Sequence, residues 1–88
     1  ERYQFDDVYI NYNHGTQFVE IHANNLTASS TKIFITDQTG RVLANEIENI
    51  DNATLSKQIN CTQFATGIYI VKIITDKEQF TLKFVKEY

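Results

Sequence analysis

The 88-residue chain predicts an all-β, antiparallel sandwich. Three observations carry this prediction. Apolar residues recur with period two along almost the whole chain, the spacing that sets one face of a strand on a core and the other in water. Turn-forming residues interrupt the alternation every ~8–12 residues, as they do in sandwiches and barrels. No segment shows the 3.6-residue period of an amphipathic helix.

The elements follow in order. Val8, Ile10 and Tyr12 alternate with Tyr9 and Asn11 in a first strand, spanning about residues 5–12. Asn13-His14-Gly15 forms a short turn, and Val19, Ile21 and Ala23 then alternate with Glu20 and His22, so the pair predicts a hairpin. A polar loop from Asn24 to Ser30 carries Leu26. The third strand, about 31–37, places Ile33 and Ile35 on one face. Asp37-Gln38-Thr39-Gly40 has Asp at the first and Gly at the fourth position of a β-turn. A fourth strand runs from Arg41 to Glu48, a turn spans Asn49 to Asn52, and Leu55, Lys57 and Ile59 mark a fifth strand. Cys61 to Gly67 is a non-periodic crossover carrying Phe64. The sixth strand, Ile68 to Thr75, is apolar on both faces and predicts a central position. After Asp76-Lys77-Glu78, the last strand alternates Phe80, Leu82 and Phe84 with Thr81, Lys83 and Val85.

Seven strands with Tyr69 near the start of the sixth predict an immunoglobulin-like arrangement. Tyr69 would stand at a tyrosine corner, its ring buried and its hydroxyl bonded to nearby backbone. The Cys pair and Trp of antibody-type domains are missing. No linker or low-complexity tract divides residues 1–88, so one domain is expected.

A domain this small must pack densely, and 42% hydrophobic residues with six Phe and five Tyr supply the means. The chain opens on Glu1 rather than Met, as a mature chain or fragment does. No apolar run approaches the ~20 residues that span a bilayer as a helix. A net charge of −3 argues against nucleic-acid binding, which needs a clustered basic face. Lys72, Lys77, Lys83 and Lys86 alternate with acids and read as solvated strand residues.

Catalytic and metal chemistry find little support. Cys61 is alone and reads as a small buried apolar residue. His14 and His22 would be neighbours only if they paired across the first hairpin, and zinc needs three or four ligands. Asp6 and Asp7 are adjacent on a strand and so point to opposite faces. Asp37 reads as a turn former, and Glu46 and Glu48 as an exposed, mutually repelling pair. Ser29 and Ser30 lack a neighbouring His motif, and no G-x-S-x-G, P-loop or G-x-G-x-x-G occurs. No catalytic residue, cofactor or metal is expected. Three N-x-S/T sequons, at Asn25, Asn52 and Asn60, and the Asn/Thr-rich composition point to an extracytoplasmic location. Tyr9, Phe18 and Phe34 fall opposite the core-facing positions and are the candidate partner-binding residues, for a protein or glycan.

A family pattern appears in two segments. Ile33-Phe34-Ile35-Thr36-Asp37-Gln38-Thr39-Gly40-Arg41-Val42-Leu43 shows a strand, a D-x-x-G turn and x-V-L. Phe64-Ala65-Thr66-Gly67-Ile68-Tyr69-Ile70-Val71-Lys72-Ile73 follows, and Phe80 to Lys86 closes the chain with a basic, apolar strand. Residues 31–88 thereby resemble the C-terminal sorting domains of the Bacteroidetes type IX secretion system. That resemblance implies recognition by outer-membrane secretion machinery, then removal or anchoring. Such domains typically open with Asn-Pro, and this chain has no Pro. It also resembles small stand-alone secreted sandwiches of gut Bacteroidetes, of unknown function. The expectation drawn from both is a non-enzymatic, extracytoplasmic sandwich. The stand-alone binding or structural protein leads; a sorting domain and a glycan- or protein-binding adhesion module are the alternatives. Gly67, Tyr69 and the D-x-x-G turn are expected to be structural.

Overall fold

A computed structural model describes residues 2–5 and 7–87, with residues 2–5 as backbone only. Each period-two segment forms a strand, because alternate side chains there can share one buried face. The strands are β1 (Arg2–Phe5), β2 (Val8–Asn13), β3 (Phe18–Ala23), β4 (Ser30–Asp37), β5 (Val42–Asn49), β6 (Leu55–Asn60), β7 (Gly67–Ile74) and β8 (Gln79–Lys86). The seven expected strands are β2 to β8. The start expected near residue 5 moves to Val8, and the additional strand β1 pairs back on β2 with Phe5 opposite Val8. Asp7 lies in the intervening turn, while Asp6 is outside the described residues.

Two four-stranded sheets face each other, one ordered β1-β2-β3-β6 and the other β5-β4-β7-β8, with every pair antiparallel. This is the predicted all-β sandwich. The chain changes sheet after β3, β5 and β6, so neither sheet is built from consecutive strands alone. As expected, β7 is central in its sheet, between β4 and β8.

The core consists of the alternating inner residues. Val8, Ile10, Tyr12, Val19 and Ile21 from the first sheet meet Ile33, Ile35, Val71, Ile73 and Phe84 from the second, all essentially inaccessible to solvent. An aromatic column crosses this core. Phe64 lies against Tyr69 at 5.1 Å between centroids, Tyr69 against Phe84 at 5.6 Å, and Phe84 against Tyr12 at 5.1 Å. Each such ring pair contributes about 1 kcal/mol beyond the area it buries. The column ties the β6–β7 crossover to both sheets.

Two turns rest on positive-φ residues. In the β4–β5 turn, Gly40 has φ of 93°, a conformation in which a Cβ would be strained, and its N–H donates to the Asp37 carbonyl. The turn between the sheets, expected at 49–52, lies instead at Asp51–Thr54, where Asn52 and Ala53 both take positive φ. Two consecutive positive φ values are the requirement of a type I′ turn.

Candidate functional site

The motif residues converge on one end of the sandwich. The Asp37 Oδ1 carboxylate oxygen accepts from the Thr39 N–H at 2.9 Å, the Thr39 hydroxyl at 2.6 Å and the Arg41 N–H at 3.1 Å. The Thr39 hydroxyl, ahead of the Arg41 and Thr39 amides, holds the carboxyl below its usual 3.8. Asp37 is thus the turn former the sequence suggests. It pairs in register with Tyr69, whose buried hydroxyl donates to the Ala65 carbonyl, four residues earlier. That is the predicted tyrosine corner. Burial, followed by the charge of Asp37, raises the phenol pKa, so Tyr69 stays a donor at neutral pH.

Lys86 overturns its sequence reading. It is 3% exposed rather than solvated. Its Nζ donates to the carbonyls of Phe64 at 2.6 Å, Cys61 at 2.8 Å and Thr62 at 3.5 Å. An ammonium can be withdrawn from water when its donors meet acceptors in this way. The signal was present in the sequence: Lys86 shares the parity of Phe80, Leu82 and Phe84, all inward-facing. Together Tyr69 and Lys86 satisfy the backbone of a crossover that has no strand partner of its own.

The other chemistry-bearing groups are structural. Cys61 is fully buried, its thiol donating weakly to the Ile59 carbonyl at 3.5 Å. Burial pushes its pKa up to about 11, which removes the thiolate that nucleophilic or ligand chemistry would need. His22 stacks on Tyr9 at 4.9 Å and meets Glu20 at 3.3 Å, whereas His14 lies edge-on to Tyr12 beyond the far end of the same hairpin. The register therefore separates the two histidines. Among the described residues, no group of three or more His, Cys, Asp or Glu is placed to hold a metal ion. Asp7 accepts from the Asn25 amide at 3.2 Å. Glu46 and Glu48 are half-buried on the inward side of edge strand β5, not exposed. Lys57 of β6 reaches them across the sheets at 3.1 and 3.6 Å. A lysine on the opposite sheet removes the repulsion that the sequence implied.

The candidate partner-binding aromatics divide between two surfaces. Tyr9 and Phe18 are half-buried on the outer face of the first sheet, opposite His22 and Asn13 respectively. Phe34 is half-buried on the outer face of the second sheet, opposite Asn45 and Lys72. That second face also displays Val42 at 52%, Ile47 at 69% and Ile68 at 36% exposure.

A two-sheet sandwich whose polar residues brace its own corners is a small module that presents sheet faces and edges. The chain belongs to the secretion system C-terminal sorting domains, those of type IX secretion, whose family profile matches residues 7–87. The match reaches across the first hairpin, beyond the residues 31–88 that carried the resemblance. It favours the sorting-domain alternative over the stand-alone protein. No curated protein matches the chain. The family is not an enzyme family, and membership implies an extracytoplasmic or secreted protein that meets the type IX machinery. No helix of the described residues is long and apolar enough to cross a membrane.

Proposed function

We propose that this chain serves as the address that carries an attached polypeptide through the type IX machinery, with no catalytic activity of its own. The family match over residues 7–87 is the observation that supports this reading. The braced corner explains how a short chain keeps a fixed shape for recognition. Asp37, Tyr69 and Lys86 are then shape-keepers, and the surface they hold in place is what the machinery reads at the outer membrane, before removal or anchoring of the domain.

The test is a fusion of residues 1–88 to the C-terminus of a folded, periplasm-directed reporter in a bacterium with a working type IX system. Reporter should reach the cell surface or medium, and should stay in the periplasm when residues 80–88 are deleted or the system is inactivated. Retention of the full fusion, or export without the system, would sink the proposal.

A second reading, glycan or protein adhesion, draws on the outer face of the first sheet. There a groove of about 230 Å³ is lined by Phe18, Glu20, Gln58, Asn13 and Thr16, and Tyr9 lies further along the same face. An aromatic ring flanked by amides and a carboxylate suits a sugar's apolar and hydroxylated faces. Replacing Tyr9 and Phe18 by Ala should abolish retention on glycan arrays while leaving the circular dichroism unchanged. Phe34→Ala, on the opposite sheet, should not alter it.

A further inference from the structure

The outer face of the β5-β4-β7-β8 sheet is segregated in charge. Register places Lys32 of β4, Lys72 of β7 and Lys83 of β8 on this face, running obliquely across three adjacent strands. None of its paired positions carries a carboxylate: the acids of β5, Glu46 and Glu48, point inward. This is unexpected in a chain of net charge −3. Beside the lysines stand Ile47, Ile68, Ile70 and Ile74, of which Ile47 and Ile68 are exposed and the other two half-buried. At one end Ile47, Ile74, Thr31, Lys32 and Asp76 are among the residues that line a groove of about 330 Å³. The outer face of the other sheet has Glu20 and many amides, and no comparable set of lysines.

We propose that this face docks an acidic surface of a protein component of the secretion machinery, an assignment that rests on the sorting role proposed above. Three lysines on a face whose paired positions carry no acid attract and orient a negatively charged partner. The isoleucines supply the apolar centre that a protein contact requires. The groove decides for a protein over a lipid surface. A concavity receives a projecting side chain, which a partner protein offers and a bilayer surface does not.

The test uses the same reporter fusion with Lys32, Lys72 and Lys83 all changed to Gln, and separately all to Arg. The Gln triple should lower export at least tenfold with an unchanged unfolding midpoint, and the Arg triple should restore it. A photo-crosslinking residue at position 47 should capture a secretion-system protein in the parent and not in the Gln triple; one at position 58, on the other sheet, should capture none. Unchanged export of the Gln triple would overturn the proposal. So would binding of the purified chain to phosphatidylglycerol vesicles that the Gln triple loses, since the face would then read lipid. Failure of the parent fusion to be exported at all would instead strike the sorting role itself, which keeps the two ideas separable.

Discussion

Two lysines join the halves of this sandwich by different means. Lys57, on edge strand β6, crosses to Glu46 and Glu48 of β5 in partly exposed ion pairs. The hydrogen bond to Glu46 is the largest of the influences that raise its pKa. Lys86, on β8, is buried, and its ammonium donates to neutral carbonyls of the crossover. Water can replace the partners of Lys57 when it is lost, so an exposed pair contributes little. It reaches the carbonyls under Lys86 less freely: without that ammonium the Cys61 carbonyl keeps the Phe64 N–H, but the half-buried Phe64 carbonyl loses its donor. The contrast teaches that the opposite charge matters less here than what is left behind when the cation goes.

The largest effect should come from Lys86→Met, which keeps the apolar stem and deletes the donors. We expect a loss of about 1–3 kcal/mol in urea unfolding. A loss below that of an exposed pair would break the comparison. Next, Tyr69→Phe deletes the other donor to the crossover and should cost about 1 kcal/mol. The double variant with Lys86→Met should be non-additive, because both side chains brace one loop.

Cys61 sharpens the same point through pH. Its thiol ionises near 9.0 when unfolded and at about 11 when folded. The unfolded state therefore gives up its proton first. Stability from the neutral thiol is complete below pH 9 and declines as pH rises from 9.0 towards about 11, a slope that Cys61→Ala should flatten. At pH 8 iodoacetamide should label the unfolded chain far faster than the native one. The smallest effect should be that of Lys57→Met, a barely displaced unfolding midpoint that becomes indistinguishable from the parent in high salt.

Most of the fold was legible because period-two alternation is a direct record of one-sided burial. The Gly67-Ile68-Tyr69 corner and the Asp37 turn were legible for a similar reason: local geometry restricts which residues can stand there. The inward lysine was missed by reading charge before parity, since Lys86 continues the row of Phe80, Leu82 and Phe84. Glu46 and Glu48 were misplaced because their partner, Lys57, lies on another sheet, and no local pattern reports a contact between sheets. The division of Tyr9 and Phe18 from Phe34 needed sheet order, which alternation alone does not supply. The clustering of Lys32, Lys72 and Lys83 was hidden likewise, because their strands become neighbours only on folding.

The crossover between β6 and β7 is finished by a side chain made more than twenty residues later, on β8. During synthesis, or emergence from any narrow passage, β2 to β7 can be present while the carbonyls of Thr62 and Phe64 still lack the Lys86 ammonium. The last strand therefore acts as a latch. A chain released before it arrives lacks Phe80, Leu82 and Phe84 of the core as well as the brace at that corner, a difference a protease detects.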